Sequence, residues 1–224
     1  FILPNIPPIH HTRGGLELAD PLADATRLDW LYLTQLLNGS GSNQRGKYKS
    51  SYQIGNFTQT EIDGFWNNLS IANPHLTQSL VQIDSYGGCI NTYDTDGKQQ
   101  TSVCQRKSLL KAQFQTYWSI TTSEEGDEKE IEDEQIGWIR KIFTDVYAEQ
   151  GGKPYPGADG RYQGCYINYP DIDMKYINND HITIDTRWLE LYYGDRIDNL
   201  IAAKQTFDPN NVFFHEMSIP LTKT

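Results

Sequence analysis

From Leu110 to Trp118 the chain alternates strictly. Leu110, Ala112, Phe114, Thr116 and Trp118 fall on one side, and Lys111, Gln113, Gln115 and Tyr117 on the other. Successive side chains of a β-strand point to opposite faces, so this stretch reads as a strand with one face on a core and the other toward water or a ligand. One-sided burial belongs to antiparallel sheets. The same strand signal, dense in β-formers and bounded by turn residues, spans Leu109 to Trp118, and weaker ones run over Leu80 to Tyr86 and Tyr162 to Tyr169.

Helical spacing lies between these strands. Thr58 and Glu61 have capping-box separation, and Ile62, Phe65, Trp66 and Leu69 follow on one helical face before Pro74. Ile136, Ile139, Ile142, Phe143, Val146 and Tyr147 recur every three or four residues, and Gly151-Gly152 supply a stop. Trp188, Leu191 and Tyr192 form a short face that Gly194 breaks, after which Asp195 is placed to cap a helix through Ile197, Leu200 and Ile201. Asp208-Pro209 ends that pair and reads as a rigid turn. Helices and strands segregate rather than alternate, which predicts an α+β fold: an antiparallel β-sheet covered by helices.

The formal net charge of −10 argues against nucleic acid or an anionic membrane as partner, since both demand clustered Lys and Arg. Much of the excess sits in Glu124 to Glu134, read as a solvated loop or helix start. Arg45, Lys47 and Lys49 read as a solvated basic cluster. Fourteen tyrosines exceed what a core needs and suit a site that stacks rings or sugars while offering a polar handle. Cys89, Cys104 and Cys165 lack paired metal-binding spacing, so no metal site is expected. Asn38-Gly39-Ser40, Asn56-Phe57-Thr58 and Asn68-Leu69-Ser70 fit the glycan acceptor pattern and point toward a secreted glycoprotein. Residues Phe1 to Gly15, rich in Pro, Gly and His, read as a linker or edge segment with an interior or processed start.

Two separated motifs carry more. The first is Tyr166-Ile167-Asn168-Tyr169-Pro170-Asp171. The second is Trp188, Tyr192-Tyr193-Gly194, Leu200, Lys204, Phe207-Asp208-Pro209-Asn210-Asn211-Val212-Phe213 and Ser218-Ile219-Pro220. Together they resemble the C-terminal signature of berberine-bridge-enzyme-like, FAD-linked oxidases. The resemblance implies FAD as cofactor and oxidation of an alcohol or sugar hydroxyl by hydride transfer to flavin. It divides the chain into a substrate domain at 1–160, incomplete at its N-terminal side, and a segment at 161–224 that returns to pack on a flavin-binding domain. The partner it implies is an N-terminal FAD-binding half, of the same precursor or on a second chain in a heterodimer. Trp188, Tyr192, Leu200 and Phe213 would then form an apolar seam against that half.

Residue by residue, the resemblance places Tyr169 as the base that takes the substrate hydroxyl's proton, and Tyr166 and Asn168 beside the isoalloxazine ring. Gln113, the second catalytic candidate, stands where family members carry a Gln, Glu or Asp facing substrate. Gln105, Arg106, Gln115 and Tyr117 lie along the substrate-lining strand, with Gln105 where His is usual. Ser85-Tyr86-Gly87-Gly88 resembles the turn before that strand, and Asp171 and Asp173 are expected to fix the motif's loop. A tyrosine serves as base only if its pKa falls from about 10 toward working pH, which needs a nearby cation or hydrogen-bond donor. The competing reading is a catalytically inactive carbohydrate-binding or storage protein that keeps the fold.

Overall fold

The computed structural model describes residues 2–4, 25–37, 44–91, 101–119, 125–157, 160–178 and 181–223. The chain divides into two compact units, Phe1–Gln44 and Arg45–Thr224. In the first, β1 (Ile2–Pro4) pairs antiparallel with β2 (Ala25–Arg27), so part of the expected linker is strand. A short helix, α1 (Trp30–Leu37), follows, its start fixed by Asp29 accepting the N–H of Leu31 at 3.0 Å. Asn38-Gly39-Ser40 and Glu124 fall outside the described residues.

The larger unit is built on three strands, β3 (Gln44–Gln53), β4 (Ser79–Ser85) and β5 (Leu110–Ser119), in the order β3-β5-β4. β4 runs antiparallel to β5, with Gln82 opposite Gln113 and Asp84 opposite Lys111. Ala112 and Phe114 of β5 are buried beneath α2 (Gln59–Leu69) and α3 (Glu125–Val146). Phe114 stacks on Phe65 at 5.9 Å and meets Phe143 edge-on at 5.1 Å. Burying a ring of this size contributes about 1.5–3 kcal/mol, which makes β5 the centre of the core. The acidic stretch expected as loop or helix start opens α3 itself at Glu125.

α2 turns a different face inward from the one its apolar residues suggest. Glu61, Gly64 and Asn68 are buried, while Ile62, Trp66 and Leu69 are exposed. The reason is close helix contact: a Cβ on Gly64 would come within 2.9 Å of the Asp145 and Val146 backbone. Asn68 Nδ2 spends both hydrogens, on Gly64 O and Asp145 Oδ2 at 2.8 Å each, so this acceptor triplet offers no free amide to a glycan. Glu61 is a hub. It accepts from Tyr162 Oη, from Gln53 Nε2 at 3.1 Å and from Arg161 at 2.7 Å, and it closes the capping box by accepting the Thr58 N–H at 2.6 Å. Thr58→Ala removes one half of that box and is expected to lower stability by about 0.5–2 kcal/mol in a urea titration.

β3 is the strand that alternation does not announce. Its helix-facing positions are Lys49, Ser51 and Gln53, each buried and each with a partner: Asp171 and Asp173, Tyr147 Oη, and Glu61. The two lysines of the basic cluster are therefore not solvated, whereas Arg45 is exposed and pairs with Glu132 of the acidic stretch. Lys49 is 2% exposed, and Lys47 lies against the same two carboxylates, 2.8 Å from Asp171 and 3.0 Å from Asp173.

The C-terminal part is packed into this same unit, so the division expected at residue 160 falls within it. Tyr162 to Tyr169 is not a strand beyond one bridge, Gln53 to Tyr162. The chain instead turns at Gly164, whose φ is +78° and whose Cβ would fall on the Leu191 carbonyl. α4 (Trp188–Tyr193) buries Trp188, Leu189, Leu191 and Tyr192 in the common core. α5 (Ile197–Phe207) follows a short 3-10 turn, Gly194–Arg196, and has no side-chain cap, so Asp195 does not serve as one. Asp208 seats the last segment by accepting the N–H groups of Val212 and Phe213 at 2.7 and 3.1 Å. The expected seam is redistributed: Trp188 and Tyr192 are 3% exposed inside this unit, and Phe213 is 79% exposed beside Phe207, Val212 and Phe214.

Candidate active site

The second face of β5 is covered rather than open to water. Gln113 and Gln115 are 6% and 7% exposed. What covers it is aromatic. The Tyr48 ring, on β3, lies 4.9 Å from Tyr169 and 5.6 Å from Tyr117, and Tyr169 lies 5.5 Å from Tyr166. Lys111 Nζ sits 4.8 Å from the centre of the Tyr166 ring, so the motif turn rests directly on β5. The sequence candidates Gln113, Gln115, Tyr117, Tyr166 and Tyr169 are thus gathered on one face. Asn168 lies exposed at its rim, with Nδ2 donating to Tyr166 Oη at 2.9 Å.

The turn is anchored on both sides of Tyr169. Tyr166 N–H donates to Ser50 Oγ at 2.8 Å, and Tyr169 N–H to Tyr166 O at 2.9 Å. Asp171 N–H donates to Tyr192 Oη at 3.0 Å, and the Asp171 carboxylate takes Lys47 and Lys49 of β3. Asp173 adds Arg140 at 2.8 Å and His181 at 3.1 Å. Burial alone would raise the Asp173 carboxyl, but the Arg140 hydrogen bonds and the Lys49 and Lys47 charges outweigh it and hold it well below the usual carboxylate range.

Two candidates are placed away from this face. Gln105 is buried, and its Nε2 donates to the carbonyls of Gln163, Cys165 and Tyr192 at 3.2–3.4 Å, bracing the backbone behind the motif turn. Arg106 directs its guanidinium to Val103 O, Ile90 O and Thr101 Oγ1, closing the loop before β5. Tyr48, Gln82, Asp84 and Lys111 are the members of the site that no motif picks out. Only Lys111 had a signal, its place on the polar side of the alternation.

The electrostatics are specific. Asp84 accepts from Gln82 Nε2 at 2.8 Å and Gln113 Nε2 at 2.6 Å, with Lys111 Nζ 3.6 Å away. The Gln82 hydrogen bond first, then those of Gln113 and Lys111, hold its carboxyl below the ordinary value. Tyr169 goes the other way: burial pushes its phenol up, and Tyr48, Tyr166 and Asp84 add to the rise. Gln115 Oε1 accepts from Tyr117 Oη at 2.6 Å. Burial also pushes the Cys104 thiol up to about 11. Among the described residues no group of His, Cys, Asp and Glu is arranged to hold a metal, and no helix is long and apolar enough to cross a membrane.

For a flavin the fit is partial. Tyr166 and Tyr169, their rings tilted 54° to each other, and the Asn168 amide offer aromatic faces with a polar edge to a heteroaromatic ring. No glycine-rich strand-to-helix turn that would cradle a pyrophosphate is present among the described residues.

An antiparallel sheet with helices on one face, and a tyrosine-and-amide face closed by the chain's own C-terminal segment, defines the class as an α+β domain. Residues 165–220, the segment that makes that closure, match the family model described as "Berberine and berberine like". It is 37% identical over 198 residues to hexose oxidase of Chondrus crispus, covering 84% of this chain and 34% of that protein. It is 29% identical over 202 residues to aclacinomycin-N/aclacinomycin-A oxidase of Streptomyces galilaeus, covering 89% and 34%. Among solved structures it superposes on CrmK, a flavoenzyme involved in shunt product recycling in caerulomycin biosynthesis, with a TM-score of 0.68 and 33% identity over 88% of this chain and 37% of that one. The chain therefore spans about a third of the length of these relatives.

Proposed function

We propose that this chain supplies the substrate side of an FAD-dependent oxidase acting on a sugar or alcohol hydroxyl. The observation that carries the reading is the meeting of two separate sequence elements: the Tyr166–Tyr169 turn lies on Lys111 and Tyr48, on the same face as Gln113. A bound flavin would accept hydride from the substrate carbon. Tyr166 and Asn168 would border its ring, while its pyrophosphate and adenosine are held by residues outside this chain, in the rest of the same protein or in a second polypeptide.

Gln113 orients the hydroxyl to be oxidised, and Tyr169 takes its proton. Burial, Tyr48, Tyr166 and Asp84 hold the Tyr169 phenol up, so the base role needs a cation or hydrogen-bond donor from beyond the described residues, and the base form grows as pH rises. Tyr48, Tyr117 and Tyr166 exclude water from that proton's path and present flat surfaces to a sugar ring. Asn56 is an exposed acceptor position, open to a glycan in a secreted form of the protein.

The test uses the full-length protein. Its visible spectrum should show bound flavin that bleaches when a neutral sugar or alcohol is added without oxygen. Gln113→Ala should raise KM with kcat largely kept, since an amide that positions a hydroxyl is a poor base. A colourless preparation that binds sugars without oxidising them would replace this reading with the inactive binding protein.

A further inference from the structure

Asp84 lies on β4, diagonally across from Gln113 and directly opposite Lys111. Gln82 is the residue paired with Gln113. The Asp84 carboxylate therefore stands beside a cross-strand pair of amides and takes one hydrogen bond from each, at 2.8 Å from Gln82 and 2.6 Å from Gln113. Directly paired residues on one face of a sheet stand close enough for one short side chain to reach both.

The chemistry of that contact fixes the amides' orientation. An ionised carboxylate has no hydrogen to donate, so each glutamine must turn its NH₂ toward Asp84 and its Oε1 away. Lys111, 3.6 Å from the same carboxylate, favours the ionised form and occupies no acceptor on either amide. Without Asp84, a terminal amide can flip and present either a donor or an acceptor at almost the same position. With it, the Gln113 Oε1 is fixed as an acceptor on the side away from Asp84, while Nε2 keeps one further hydrogen.

We propose that Asp84 is a specificity-determining residue: it locks Gln113, with Gln82 at the rim, as a hydrogen-bond acceptor, so that the site selects ligands offering hydroxyl donors. This rests on the reading of the Gln113 face as the substrate side. A neutral polyol meets the demand. A ligand that brings a carboxylate or an ether oxygen to Gln113 Oε1 would set acceptor against acceptor and leave a buried amide oxygen unpaired. Asp84 acts through Gln113 and is a positioning residue, not a catalytic one.

The experiment measures KM and kcat of the full-length enzyme on glucose and, by competition against glucose, the dissociation constant of each monodeoxyfluoroglucose, in which one hydroxyl is replaced by a fluorine that cannot donate. In the wild type, fluorination at the position read by Gln113 removes the hydroxyl to be oxidised, so that analogue should act as an inhibitor bound about tenfold more weakly than glucose. In Asp84→Asn the amide lock is gone, so KM for glucose should rise about tenfold and the fluorination penalty at that position should shrink toward one. Asp84→Glu, which keeps an acceptor-only partner, should restore part of the penalty, which a merely structural role for Asp84 would not do. If Gln113→Ala raises KM but Asp84→Asn keeps both the wild-type KM and the full fluorination penalty, the orientation inference is overturned and the site reading stands. If Gln113→Ala itself leaves KM unchanged, the site reading falls, and this inference with it.

Discussion

Tyr169→Phe in the full-length protein is expected to slow flavin bleaching by roughly 10²–10⁴-fold while leaving the fold and the bound flavin in place. The substitution removes one hydroxyl and keeps the ring that packs on Tyr48 and Tyr166. Stopped-flow mixing with saturating substrate in the absence of oxygen reads the rate directly. The pH dependence adds a second signature. Burial and the neighbouring Tyr48, Tyr166 and Asp84 raise the phenol, so in the wild type the base form, and with it the rate, climbs with pH through the neutral range. Tyr169→Phe should lose that climb along with the rate. An unchanged bleaching rate at saturating substrate would reduce Tyr169 to a packing residue.

Asp173→Ala is expected to cost about 3–5 kcal/mol of folding stability, the loss typical of removing one partner from a buried ionic network. The Asp173 side chain is 0% exposed and within 3.0 Å of Lys47, Lys49 and Arg140. Its removal leaves Asp171 alone against Lys47 and Lys49, and strips Arg140 of its carboxylate. Because the folded state holds this carboxyl below its unfolded value, the stabilisation is complete above the ordinary aspartate pKa of about 4 and fades as pH falls below it. Urea midpoints of wild type and variant should therefore differ most at neutral pH and converge in acid. A constant gap across that range would mean that lost packing, not lost charge, explains the variant.

The sequence disclosed those parts of the fold in which hydrophobic periodicity and burial agree. The alternation from Leu110 to Trp118 and the three- and four-residue spacing from Ile136 to Tyr147 both match the structure, because those segments bury apolar side chains. β3 was illegible for the opposite reason. It buries Lys49, Ser51 and Gln53, whose partners lie 122, 96 and 8 residues away, and only the folded chain brings those partners together. The face of α2 was misread because Gly64 and Glu61 matter more there than Ile62 and Trp66, a consequence of close backbone approach that periodicity does not record.

The candidate site shows the same division. Tyr166, Tyr169 and Gln113 were visible through motif and strand position. Gln105 is not separable from its neighbours in sequence, because the three carbonyls it holds come together only in the fold. Asp84 and Tyr48 sit at positions where a solvated side chain is the ordinary expectation, and only the pairing of β4 and β3 with β5 turns them inward to the site.

The anchoring of the motif turn has a mechanical consequence. Tyr166 is tied to Ser50, and Asp171 to Lys47 and Lys49, so both ends of the segment that carries Tyr169 are fastened to one strand. That strand is the hydrogen-bonded neighbour of the one carrying Gln113. When the sheet flexes or tilts, the phenol and the amide are displaced together, as a common-mode motion, and the gap between them changes little. Thermal movement of the domain as a whole thereby leaves the spacing of the two side chains nearly constant.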